Sequence, residues 1–276
     1  MDELNKLNKL DILISFNEVP IESEYIFGSC QKLKKFTTID QMLALMKSIK
    51  KNWPNFSGKI IALHSEKLSG ETKVNLESVG FTIVQMDCEE TFVNRSTCFT
   101  YQNSSEFSLI LDTDMLFLKK PLFDYSKDIC MGYGGSFPKE NRGKWKEMWD
   151  RFCKEVGLLN NYNDEAFKIY HTEGKEVYFP QRNNGCLLIR TSMKKEFLKS
   201  YLDIWNKIKQ IPVGFSHFKG QCAVGLAYSL MENRGNLPVG VNFIGSQLPL
   251  DEKVILFHYV GANKGLTDEL VKEYFL

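Results

Sequence analysis

Two aspartates separated by one residue close an apolar run, in the segment Leu109-Ile110-Leu111-Asp112-Thr113-Asp114-Met115-Leu116-Phe117. Two carboxylates leaving a buried strand repel each other and lose hydration. A hard divalent cation removes both costs, and carboxylate oxygens suit Mg²⁺ and Mn²⁺. The carboxyl end of a strand in an α/β protein is also where a ligand crevice is expected. A surface turn carrying two acids is the plainer reading of the same residues. A second apolar run, Ile255-Leu256-Phe257, ends in His258. Imidazole is a good Mn²⁺ ligand, although a strand-end histidine is also commonly just hydrogen-bonded. His258 opens an H-x-x-G-x-x-K spacing that ends at Lys264. A lysine there can neutralise phosphate, and Gly261 lets backbone amides approach it.

These residues need strands that end at one place. Short apolar runs alternate with amphipathic stretches, which predicts an α/β fold. Strands are expected at 11–16, 59–64, 81–86, 108–111, 129–133 and 254–258, with segments at 177–179 and 185–189 around a polar insert. Apolar spacing predicts helices over 39–51, 71–79, 144–156, 193–208 and 220–231. The expected organisation is one domain over 1–276. A nucleotide-binding half spans about 1–125 and an acceptor-binding half about 126–276, built on one continuous sheet.

The run L-x-L-D-T-D, followed much later by H-x-x-G-x-x-K, resembles family 8 glycosyltransferases of the GT-A fold. Glycogenin and bacterial lipopolysaccharide galactosyltransferases belong to that family. The resemblance implies a Rossmann-like central mixed sheet flanked by helices, with the C-terminal half binding the acceptor. It implies that Asp112, Asp114 and His258 hold Mn²⁺, with Mg²⁺ as the alternative, and that Lys264 contacts the donor diphosphate. Arg95 precedes Asp112 by 17 positions (112 − 95), a spacing similar to that of the family's donor-binding arginine. Asn183-Asn184-Gly185-Cys186-Leu187-Leu188-Ile189 resembles the strand whose asparagine sits beside the donor sugar. Gln221 matches the second residue of the family's Asp-Gln pair, so Asn183 and Gln221 are expected to act at the reacting sugar. Gly220 stands where the family carries the aspartate, a departure that points to a different donor sugar. Asn17 stands where an acid usually meets the nucleobase and can hydrogen-bond a uracil. Thr113 would lie beside base and ribose. Gly265-Leu266 replaces the Pro-Trp common after the lysine.

The implied activity is metal-dependent transfer of a sugar from a nucleotide-diphosphate sugar, UDP-linked by expectation. The acceptor is a glycan, a lipid-linked molecule or a protein. The likeness favours retention at the anomeric carbon; inversion would need a base, for which Asp164 and Glu165 are candidates. Two rivals remain. A haloacid-dehalogenase-like phosphatase also uses D-x-D, but on its first strand and with Thr or Val where this chain has Leu116. A non-catalytic sugar-nucleotide or glycan-binding protein of the same fold would be expected to have lost a metal ligand, and all three are present.

Among 276 residues, 43% are hydrophobic and 25% charged, enough apolar content for a substantial core. The net charge of +1 shows no basic excess of the kind that nucleic-acid binding needs. The seven cysteines are odd in number and form no C-x-x-C pair. Several lie in apolar runs, so buried thiols in a reducing compartment are expected. The N-terminus is polar rather than signal-like, and no apolar run reaches the roughly 18–20 residues that span a bilayer. A cytoplasmic location is the expectation, with peripheral membrane contact left open. The segment around Trp145, Trp149 and Phe152, interspersed with Lys139, Arg142, Lys144, Lys146, Arg151 and Lys154, fits either an amphipathic cover or a surface that docks on a membrane or sugar.

Overall fold

Strand β1 (Leu10–Ser15) carries Leu10, Ile12, Leu13 and Ile14 and is buried from Leu10 to Ile14, as a strand flanked on both edges is expected to be. It runs parallel to β2 (Ile60–His64) on one side and β4 (Phe107–Leu111) on the other, with Ile12 opposite Ile60 and Leu109. The strand β3 (Thr82–Gln85) extends the parallel set beyond β2. This computed structural model describes residues 10–16, 36–65, 67–87, 94–133, 142–158, 168–170, 176–178, 182–212, 219–238, 240–244, 253–259 and 266–276.

The chain forms two compact units, Met1–Phe123 with Pro238–Leu276, and Asp124–Leu237. The C-terminal segment therefore returns to the first unit. Besides the parallel strands, that unit holds helices α1 (Thr38–Asn52), α2 (Gly70–Ser78) and α3 (Asn94–Thr100). It also holds a small sheet in the order β11 (Val241–Ile244), β12 (Leu256–His258), β5 (Met115–Phe117). In the second unit β6 (Ile129–Tyr133) pairs antiparallel with β9 (Arg182–Arg190) and parallel with β10 (Arg234–Asn236). A short ribbon joins β7 (Lys168–Tyr170) to β8 (Glu176–Tyr178). Helices α4 (Arg142–Val156), α5 (Lys194–Ile208) and α6 (Lys219–Leu230) complete that unit, and α7 (Asp268–Tyr274) closes the chain in the first. The class is mixed α/β with a central mixed sheet flanked by helices, as the alternation in the sequence predicts.

The long predicted strands and helices stand within about two residues of their expected limits. The segment predicted at 185–189 is the inner part of a nine-residue strand, β9. Three-residue β5 and β10, together with β11 and α7, carry too few residues to show a period, and sequence periodicity does not find them. In α4, Met148, Trp149 and Phe152 are buried, so this aromatic face covers the core of its unit and leaves Trp149 and Phe152 no surface to offer a membrane. Among the described residues no helix is long and apolar enough to cross a membrane. Five described cysteines, Cys98, Cys130, Cys153, Cys186 and Cys222, are buried thiols outside any disulfide. Burial pushes the Cys130 thiol up to about 12 and Cys153 to about 11, which keeps both as neutral apolar side chains.

Helix α1 begins with a capping box. The Thr37 hydroxyl accepts from the Asp40 amide at 3.1 Å, and the Asp40 carboxylate accepts from the Thr37 amide at 2.6 Å. Met42, Leu45, Met46 and Ile49 give it an apolar face, yet Ser48 is fully buried within that face. The reason is β5, the edge strand of the small sheet. The Phe117 amide donates to Ser48 Oγ at 3.0 Å, and Asn52 Nδ2 donates to the Phe117 carbonyl at 2.7 Å. Two side chains one helical turn apart thus satisfy an edge residue whose polar groups are shut off from water. Ser48→Ala should lower unfolding free energy by about 1–3 kcal/mol, because the Phe117 amide is left buried without its acceptor. Denaturant unfolding with an unchanged m-value checks this, and a midpoint equal to wild type would refute it.

Candidate metal and donor site

Strand β4 stops at Leu111 and β5 starts at Met115, so Asp112, Thr113 and Asp114 form the break between them. β5 then pairs antiparallel with β12, and the register sets His258 opposite Met115. The Tyr259 amide carries the contact one step further, donating to the Asp114 carbonyl at 3.2 Å. The result is a cluster of side chains from distant parts of the chain. His258 Nε2 lies 3.7 Å from Asp112 Oδ2 and 3.2 Å from Asp114 Oδ1. One ligand-capable atom from each residue lies within 4.8 Å of the others.

The burial is one-sided. His258 is 4% exposed, whereas the aspartate side chains are 25% and 17% exposed. A cation held here would be gripped from the protein side by one nitrogen and carboxylate oxygens and would keep open positions for phosphate oxygens or water. That donor set fits Mn²⁺ and, with less preference, Mg²⁺.

Neighbouring residues hold these side chains. His258 Nδ1 lies 3.0 Å from Asn242 Oδ1. With the Nδ1 proton donated to that oxygen, the Nε2 lone pair faces the carboxylates. The Thr113 hydroxyl donates to Gln41 Oε1 at 2.8 Å, tying the centre of the break to α1. Tyr259 is buried beside the cluster. Burial first, then the charges of Asp114 and Asp40, hold its ionisation well above the ordinary tyrosine range. It therefore stays neutral and adds no further negative charge beside the carboxylates. Sequence reasoning singled out neither Asn242 nor Gln41. The signal for Asn242 was a polar residue between Val241 and Phe243; Gln41 reads as an ordinary helix residue.

The structure brings together Asp112, Asp114 and His258, with Thr113 between the two acids. Arg95 lies in α3, whose backbone is described there without its side chain. Asn17, Gly261 and Lys264 fall outside the described residues, as do Asp164 and Glu165. Asn183 and Gln221 belong to the second unit. Within it, Asn183 is buried and its Oδ1 accepts from the Gly185 amide at 2.7 Å. Gln221, half-buried in the first turn of α6, donates from Nε2 to Asn184 Oδ1 at 3.4 Å. The N-x-G strand start and the helix start of the Gly-Gln pair are thus joined within one unit.

No family model and no curated protein matches the sequence. Solved structures do share the fold. One is the galactosyltransferase LgtC in complex with donor and acceptor sugar analogues. It aligns at a TM-score of 0.55 and 13% identity over 91% of this chain and 87% of that one. Another is the glycosyltransferase GlyE of Streptococcus pneumoniae, at 0.56 and 14% over 98% of this chain. This chain spans 60% of the GlyE chain. At these identities the likeness carries the fold, which is the GT-A architecture expected from the motifs.

The one-sided cluster predicts a thermal response to metal. Mn²⁺ at a hundredfold excess over its dissociation constant should stabilise the folded protein by about 2.7 kcal/mol. The melting temperature should rise accordingly and return to its starting value on chelation. In Asp112→Asn/Asp114→Asn the shift should vanish. Equal shifts in wild type and double variant would remove these residues as the ligands.

Proposed function

We propose that this chain is a metal-dependent glycosyltransferase that takes a sugar from a nucleotide-diphosphate sugar, UDP-linked, and passes it to a glycan, lipid-linked or protein acceptor. The observation that carries the reading is the Asp112, Asp114 and His258 cluster at the break after a central parallel strand. Two sugar transferases share the fold, one of them solved with donor and acceptor sugar analogues.

In this reading Asp112, Asp114 and His258 hold Mn²⁺, which supplies Lewis-acid stabilisation of the leaving diphosphate. The bond between the anomeric carbon and the diphosphate oxygen breaks with its electron pair on that oxygen, the acceptor hydroxyl oxygen bonds to the anomeric carbon in its place, and the hydroxyl proton passes to the leaving diphosphate. Negative charge grows on the diphosphate as this happens. In this reading Lys264 would neutralise that charge, and Gly261 would let backbone amides approach the phosphates. Asn17 and Thr113 bind the nucleoside. Gln41 fixes the Thr113 hydroxyl, so the nucleoside would meet a held side chain rather than a free rotor. Arg95, Asn183 and Gln221 bind the donor sugar and orient its anomeric carbon. Gly220 stands where the family carries a carboxylate, which points to a different donor sugar. The reaction proceeds with retention.

A screen of nucleotide-sugars for hydrolysis without acceptor tests the assignment and separates an enzyme from a binding protein. One donor should be hydrolysed, EDTA should abolish the reaction, and Mn²⁺ should restore it better than Ca²⁺. Full turnover in chelator would overturn the metal assignment, and no turnover of any donor would leave a binding protein.

Lys264→Ala should lower kcat by roughly 10²–10³, with a smaller change in donor affinity, because its contact strengthens as charge develops. Single-turnover rates beside calorimetric donor binding read the two effects apart. An unchanged rate would place Lys264 outside the reaction.

A further inference from the structure

The strand that carries Asn242 is built irregularly at that residue. Val241 stands opposite Leu256, but Phe243 already stands opposite Phe257, so Asn242 is an extra residue with no partner across the ladder. Bulges of this kind re-aim a side chain, and they are rare between parallel strands such as β11 and β12. Asn242 has φ +62°, the left-handed region that asparagine tolerates better than other side-chain-bearing residues. Gly240, at φ +92°, prepares the distortion. Its carbonyl accepts from the amides of Ile255 at 2.8 Å and Leu256 at 3.0 Å. A Cβ there would come within 1.9 Å of the Lys253 carbonyl oxygen. The backbone on both sides of Asn242 is therefore pinned against the strand that ends in His258.

The bulge directs the Asn242 side chain to one use. Its Oδ1 lies 3.0 Å from His258 Nδ1, while its Nδ2 is buried with no hydrogen-bond partner among the described residues. Asn242 is 4% exposed. A residue needed only for packing would carry neither a left-handed backbone nor a buried amide whose nitrogen finds no acceptor among the described residues. Both costs follow if the requirement is a carbonyl oxygen at one fixed point beside the imidazole.

We infer that Asn242 is a positioning residue for the metal ligand His258: its Oδ1 accepts a hydrogen bond from Nδ1–H and so aims the Nε2 lone pair at the space between Asp112 and Asp114. The inference rests on the metal reading above and adds the residue that makes the imidazole a ligand rather than a third partner in a hydrogen-bonded cluster. Hydrogen-bond partners of this kind typically change metal affinity by roughly 10–100-fold when removed.

The test is Mn²⁺ binding to the full chain, read from the loss of the free-ion signal in electron paramagnetic resonance. Wild type is compared with Asn242→Gly, Asn242→Asp and His258→Ala, with melting temperatures measured beside each. Glycine accepts φ +62° without strain, so Asn242→Gly removes the oxygen and leaves the backbone its conformation. Mn²⁺ affinity should fall roughly 10–100-fold in that variant and return to the wild-type level or above in Asn242→Asp, which keeps an acceptor at the same place. Equal Mn²⁺ affinity in wild type and Asn242→Gly, with His258→Ala weakened, overturns the role of Asn242 and leaves the metal reading standing. Absence of Mn²⁺ binding in wild type overturns both. Should Asn242→Gly fail to fold, Asn242→Asp decides alone, since a tenfold loss of affinity there contradicts the inference.

Discussion

The antiparallel pairing of β5 with β12 is the constraint on which the site depends. Backbone pairing allows little freedom: a slip of one residue turns every side chain to the opposite face. With Leu256 opposite Phe117 and His258 opposite Met115, the histidine can only emerge beside Asp114. Each of these strands has three residues, too few to be stable alone. Their register is therefore enforced from outside, by β11 along one edge of β12 and by α1 on the free edge of β5.

The role of α1 explains its unusual face. Gln41, Ser48 and Asn52 stand at i, i+7 and i+11, one stripe of a 3.6-residue helix. Each meets the segment between Asp112 and Phe117: Gln41 at the Thr113 hydroxyl, Ser48 at the Phe117 amide and Asn52 at the Phe117 carbonyl. Asn52 Nδ2 also reaches the Tyr274 hydroxyl at 2.8 Å, which ties α7 into the same support. Around this stripe lie Met42, Leu45, Met46 and Ile49, which supply burial. Apolar contacts hold the helix in place, and the polar stripe sets where the strand sits against it. The capping box at its start fixes the turn that carries Gln41.

The electrostatic logic of the cluster follows from the same geometry. Carboxylates brought together at the end of a buried strand destabilise one another unless a positive group joins them. A buried imidazole held by an amide oxygen on its far side offers a lone pair in their direction, and the partial exposure of the acids leaves room for a ligand. The neutral Tyr259 beneath them adds no competing charge. A cation bound there would answer a charge imbalance that the backbone has already built.

Much of this was legible in the residues alone. The apolar runs at 11–16, 59–64 and 108–111 announce strands of an α/β protein, and the structure places strands there at 10–15, 60–64 and 107–111, paired in parallel. Asp112 closes one apolar run, Asp114 opens the next and His258 closes a third, which is why the residues alone raise the expectation of a metal site. What the sequence could not determine is how those ends meet. Nothing in the order of residues says that Pro238–Leu276 leaves the half it follows and returns to the unit of Asp112. Nothing says that Met115-Leu116-Phe117 is a strand whose partner is Leu256-Phe257-His258. Such pairings join segments that share no local signal, and their stability comes from contacts that exist only once α1 and β11 are in place. Asn242 makes the point most sharply. In sequence it is one polar residue among apolar ones. Only a bulge, defined by the register of two strands, turns it toward His258.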